Sequence, residues 1–344
     1  MRQYGLIVAA TLAALIVGYW AGHGTMLIAP NLSAANVGAA APSRTGTATK
    51  RVAAPAASDS HNASATAPTP RVRKPLPPPG TPLKESLDAL QSAAENGDTE
   101  AASRLFHDVQ RCADARRINA SIPRIAELTL NRKTDGMSAA QLKDHEQMLA
   151  SFNRQLAFAN DNAALCADLD DDQINQLVPA SMRAALFGDR RAADCYVSGG
   201  GIGYGLPPGL LDHPEWLADY KQNALNIANT ALQAGDWQMV RLLRMAYSNA
   251  LGPSLLSQAT RQDAAMAYRY QKLLSLGAPD AKAQSNAQKE LDYAAAEITP
   301  QARAEGDTWA QQAYSQYFNA QPQSSQRYVP PCQSEELLPP ALGR

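Results

Sequence analysis

Apolar residues return at intervals of three and four along most of this chain. Leu87, Leu90 and Ala94 fall on one face of a 3.6-residue helix, as do Ala102, Leu105, Phe106 and Val109. Leu142, His145, Leu149, Phe152 and Leu156 make a third stripe, and the spacing continues through 217–232, 237–246 and 264–276. No run combines period-two alternation with many Val, Ile and Thr, so strands are not expected. The pattern predicts an all-α fold over 84–318, an irregular array of antiparallel helical hairpins. A Gln-rich tail, 319–344, is expected to be loosely ordered unless Cys332 ties it down.

Two stretches before residue 84 break the periodicity. No Lys, Arg, Asp or Glu occurs between Gln3 and Ser43, and Leu6 to Trp20 is an apolar run. A spanning helix needs about 20 residues, a length that the stretch from Tyr4 to Ala29 supplies. Residues 1–29 are therefore read as a transmembrane anchor, with Leu6, Leu12 and Leu15 in the bilayer and Tyr19 and Trp20 at its interface. A cleaved signal peptide, cut after Gly24, is the second reading. Both place the bulk of the chain beyond the bacterial inner membrane, tethered in the periplasm or free there. Residues 30–83 are rich in Ala, Pro, Ser and Thr and nearly lack large apolar side chains. They are expected to be a disordered linker. Fully extended, it would reach roughly 170 Å.

Charge sharpens this division. The linker holds six cations and one anion, which leaves 24 Lys and Arg against 31 Asp and Glu from Lys84 onward, a net of −7. An acidic domain lacks the clustered cations that nucleic acid requires, so no nucleic-acid partner is expected. The four cysteines, Cys112, Cys166, Cys195 and Cys332, contain no C-x-x-C pair. Their even number fits disulfides in an oxidising compartment. Of three connectivities, Cys112–Cys166 with Cys195–Cys332 is preferred: the first would staple neighbouring helices and the second would pin the tail. Reduced, buried thiols are the alternative.

Four Gly-Asp pairs each follow one apolar helical stretch and precede another: Gly97-Asp98, Gly188-Asp189, Gly235-Asp236 and Gly306-Asp307. Gly ends a helix in the left-handed conformation, and Asp caps the next helix through its side-chain oxygen. With the Ala and Leu residues around these turns, the chain resembles helical-hairpin repeat proteins of the Sel1-like and tetratricopeptide kind. The spacings between turns are 91, 47 and 71 residues, so no single period holds. The resemblance implies protein binding or scaffolding and no chemistry.

Candidate chemistry is sparse. His107, His145 and His213 form no metal-binding spacing, and His145, on an apolar stripe, reads as a satisfied, partly buried residue. Asp168 to Gln173 lacks the Gly and Glu of a calcium loop and reads as a capping cluster. Gly199 to Gly205 follows a helix rather than a strand, so it reads as an inter-helix loop and not a phosphate cradle. No catalytic, metal or cofactor-binding residue is assigned, and no cofactor is expected. The expected function is a non-catalytic interaction or scaffold module that meets envelope proteins through its helices and the membrane through its first segment. The alternatives are a glycan-cleaving envelope enzyme and a purely structural envelope protein.

Overall fold

Most helices in this chain begin where a short polar side chain takes up backbone N–H groups. Asp98, Ser138, Asp170, Asp189, Ser254, Asp263, Asp280 and Thr299 all accept from the N–H three residues ahead. Replacing one such cap with Ala costs about 1 kcal/mol. The computed structural model describes residues 75–200, 213–248, 250, 254–323 and 330–337. Among these residues the chain forms twelve α-helices, one 3₁₀ turn and no strand. They are α1 (Leu83–Glu95), α2 (Thr99–Leu130), α3 (Ala139–Asp161), α4 (Asp171–Asn175), α5 (Leu177–Leu186) and α6 (Arg190–Val197). Then come α7 (Pro214–Gln233), α8 (Trp237–Ser248), α9 (Leu255–Thr260), α10 (Ala264–Leu276), α11 (Ala281–Ala296) and α12 (Pro300–Phe318). The 3₁₀ turn is Glu335–Leu337.

Packing follows a simple order. Helix α1 lies on α2, α2 on α5, α5 on α6, α6 on α7, α7 on α8, α8 on α10 and α10 on α12. One apolar core runs through this series, from Leu83, Leu90 and Phe106 to Tyr220, Met239, Leu243, Leu273 and Phe318. Alanines at 184, 192, 224, 228 and 310 are fully buried in it and let the helices approach closely. Helix α3 stands outside the series. It packs on α2 and on the 3₁₀ turn, around a second small cluster of Ala115, Ile118, Phe158, Ala159 and Leu337.

Three of the four Gly-Asp pairs make the expected turns. Gly97, Gly188 and Gly235 take φ of +88°, +93° and +79°, and Asp98, Asp189 and Asp236 accept N–H groups of the helix that follows. Gly306-Asp307 does not: it lies inside α12, which runs unbroken from Pro300 to Phe318. The reason is packing. A Cβ on Gly306 would sit 2.8 Å from Tyr268 Cδ1, so the missing side chain admits that ring. Asp307 accepts from the Tyr268 hydroxyl at 2.8 Å and pairs with Lys272 at 3.2 Å.

The linker also ends earlier than expected. Residues 75–83 were assigned to it, yet Arg104 donates to the carbonyls of Pro77 and Pro78, Leu76 packs on the core and Leu83 is fully buried. A cation on a neighbouring helix holds this proline run together with Thr81, whose N–H and hydroxyl both donate to the Pro78 carbonyl, at 3.2 and 2.8 Å. The anchor residues Leu6, Leu12, Leu15, Tyr19 and Trp20 lie outside the described residues. Among the described residues no helix is long and apolar enough to cross a membrane.

The turns differ in what an added methyl would meet. At Gly97 it meets nothing within 4 Å, whereas at Gly235 it lies 2.7 Å from the Tyr317 carbonyl oxygen. Gly97→Ala should therefore cost only the left-handed penalty of about 1–2 kcal/mol. Gly235→Ala should cost more, because backbone must also shift. Urea unfolding of the two variants checks this; equal losses would refute the packing account.

Candidate functional site

Helix α2 places Ser103 and His107 one turn apart on the same face, opposite the start of α6. There Asp189 serves both helices. Its Oδ1 caps α6 by accepting from Ala192 N–H at 2.9 Å. Its Oδ2 accepts from the Ser103 hydroxyl and lies 3.2 Å from His107 Nε2. Burial alone would raise its pKa, but these hydrogen bonds and the His107 charge outweigh it and hold the carboxyl at about 2. Serine, histidine and aspartate meet here without forming a nucleophilic triad. Such a triad needs the histidine between the other two, whereas both partners point at the carboxylate. Beside it, Arg190 donates to the Ala234 carbonyl at 3.0 Å and ties α6 to the end of α7.

The C-terminal tail closes over this region. Cys332 is bonded to Cys195, which is fully buried on α6, and Cys112 is bonded to Cys166. This is the connectivity preferred from the sequence. Arg191 donates to the Gln333 carbonyl. Ser334 N–H donates to Asp114 Oδ2 at 2.8 Å, and Arg111 pairs with Glu336 at 2.8 Å. Burial raises the Asp114 pKa, opposed by Arg117 and the Ser334 N–H. Residues 330–337 are thus tied down, as the reading of Cys332 anticipated.

Between tail, α2 and α6 remains a cleft of about 230 Å³, lined by His107, Gln110, Arg111, Arg191, Ser334, Glu335 and Glu336. Among the described residues every lining side chain is polar. Two of them, Gln110 and Ser334, are only 3% and 4% exposed, and their Nε2 and Oγ atoms lack a hydrogen-bond partner. Both atoms are themselves closed off from solvent, as are six other unpartnered side-chain atoms among the described residues.

Little of it was visible in sequence. The disulfides and the Asp189 cap were found, but Ser103, Gln110, Arg111, Arg191 and the tail acids were missed. The only available signal was Glu335-Glu336 directly after a predicted anchor point at Cys332. Asp170 caps α4 and forms a reciprocal capping box with Gln173. His145 differs from expectation: its Nδ1 is buried and unpartnered. Among the described residues no group of His, Cys, Asp and Glu could hold a metal ion. No protein-family model, curated protein or solved structure matches the chain.

Next to Cys195, Asp194 is 5% exposed and its Oδ1 has no partner. Burial, then repulsion from Asp236, pushes its pKa up from 3.8 to about 8, against Arg191, Arg190 and Arg241. The folded protein therefore keeps a proton that the unfolded chain releases. The resulting stability is fully present below about pH 4 and is lost as pH rises through about 8. Asp194→Asn should flatten the decline in the urea midpoint between pH 5 and 8. An unchanged slope would show that Asp194 is not the titrating group.

Proposed function

We propose that the chain is a membrane-tethered periplasmic interaction module, non-catalytic, whose helical domain docks a partner protein of the envelope. The observation that carries this reading is the arm formed by the far halves of α2 and α3. Of the eight large hydrophobic residues exposed among those described, five sit there: Ile125, Leu128, Leu130, Leu142 and Met148. Single exposed apolar residues are ordinary, but a cluster on one arm is not. Ile125 and Leu128 continue the stripe of Ile118 and Ile122, and Leu142 continues that of Leu149, Phe152 and Leu156. A third layer would normally cover such a seam. An amphipathic helix of a partner supplies that layer when its own apolar face meets the arm.

Other features agree with this reading. The helix series and its Gly-Asp turns suit an irregular array of hairpins of the Sel1-like or tetratricopeptide style, which are protein-binding architectures. Two disulfides suit an oxidising compartment. The charge-free first segment and the basic linker suit a tether.

Crosslinking in cells on the full-length chain tests the proposal. Wild type should capture a recurrent partner, and Ile125→Asp with Leu128→Asp should lose it while the melting temperature holds, since Leu128 is 66% exposed. Persistent capture by the double variant would refute the arm as the docking face. Capture of the chain's own copies alone would replace a partner with self-association. Release of soluble fragments from peptidoglycan by the purified protein would overturn the non-catalytic reading.

A further inference from the structure

The bare stripe of the arm starts where Leu337 leaves off. That side chain caps the base of the arm, in one cluster with Ala115, Ile118, Phe158 and Ala159. Ile125 lies seven residues beyond Ile118 on α2, and Met148 lies eleven before Ala159 on α3. Both offsets are close to whole turns, so both residues stay on the faces that carry the cluster. Leu128 follows Ile125 by three. Leu337 therefore covers the first part of a seam whose next part, Ile125, Leu128 and Met148, is 44%, 66% and 41% exposed.

The sequence after Leu337 suits that seam. Residues 338–344, outside the described residues, read Leu338-Pro-Pro-Ala-Leu342-Gly-Arg344, with no charge before Arg344. Prolines favour an extended path of about 3.1 Å per residue, which carries Leu342 about 16 Å from Leu337. A helix rises about 1.5 Å per residue, so Leu128 stands about 15 Å from Ile118 and Met148 about 17 Å from Ala159. Leu342 thus comes level with both. Arg344, about 22 Å along the same path, comes level with Asp144, an exposed carboxylate one turn beyond Met148.

Position favours this segment as the occupant. The Cys195–Cys332 bond, Arg191 on Gln333, Ser334 on Asp114 and Arg111 on Glu336 hold its start near the base of the arm. A segment so tethered meets its site at an effective concentration in the millimolar range. Two leucines offer less apolar surface than the stripe of an amphipathic helix, so such a helix can displace them. We propose that residues 338–344 lie along the arm over Ile125, Leu128 and Met148 in the free protein, and that a docking partner must displace them. The proposal rests on the reading of the arm as a docking face and adds its regulation, an autoinhibitory contact.

Photo-crosslinking of the purified full-length chain tests it, with Leu342 replaced by a benzophenone amino acid. The expected product is a crosslink within one chain to peptides from 121–130 or 140–150. Leu128→Asp with Met148→Asp should abolish it, and both positions are exposed enough for the fold to hold. No crosslink to those peptides, or crosslinks between chains only, would overturn the proposal. In cells, Leu338→Asp with Leu342→Asp should raise partner capture by about tenfold for a tail that holds the arm about nine-tenths of the time. Unchanged capture by that variant would overturn the autoinhibitory contact and leave the docking reading standing. The crosslink within one chain, without capture of any partner by either form, would uphold the tail contact and refute the docking reading.

Discussion

A short tail with one large buried apolar side chain cannot hold itself on a helical surface. Leu337 buries part of its side chain's worth of a few kcal/mol, and ordering each residue of 330–337 costs about 1–2 kcal/mol of backbone entropy. The Cys195–Cys332 bond offsets a substantial part of that imbalance. It closes a separation of 137 residues, and in the chain-entropy model such a loop contributes about 5 kcal/mol. With the tail already local, the remaining contacts need only fix its path. Ser334 on Asp114, Arg191 on Gln333 and Arg111 on Glu336 do so. The tail's share of the cleft wall, and the Leu337 side chain it adds to the base of the arm, depend on this one covalent constraint.

Behind the tail, charge is buried only where it is answered. Asp108 faces Arg104 and Arg111, Asp114 faces Arg117 and the Ser334 N–H, and Asp189 takes Ser103, His107 and its own helix. Removing one partner from such a pair costs far more than the pair itself contributes, since the other charge stays buried. Asp194 is the exception, close enough to Asp236 to be disfavoured by it, and it keeps its proton instead. Unpartnered polar atoms remain in several places, among them Gln110 Nε2 and Ser334 Oγ behind the tail, His145 Nδ1 on α3 and the Tyr196 hydroxyl in the core.

The helices were legible because they obey local rules. A stripe at Leu87, Leu90 and Ala94 and a cap at Asp98 are decided within a few residues. Gly306-Asp307 shows where such rules stop. The same two letters that make a turn at 235–236 make a close contact inside α12, because Tyr268, 38 residues away, needs the space. Likewise the order of 75–83 depends on Arg104, and the Ser334 bond to Asp114 spans 220 residues. The stripe at Leu142, Leu149 and Phe152 was read correctly as helical but not as half bare, since sequence period reports a face and not what covers it. The cleft was illegible for the same reason: its residues come from three segments joined by a disulfide and by salt bridges.

The tail touches both the cleft and the base of the arm. Ser334, at the cleft, immediately precedes the 3₁₀ turn that ends at Leu337, in the cluster at the base of the arm, and the Leu337 N–H donates to the Ser334 carbonyl at 3.1 Å. A turn so short has little room to absorb a displacement. Moving Ser334 therefore moves Leu337 against Phe158 and Ala159, and moving α3 pulls on the cleft wall. Energetic coupling between the two requires only that an occupant of one prefer a tail position that the other disfavours. The disulfide holds one end of the tail on α6, and the 3₁₀ turn holds the other end against α3.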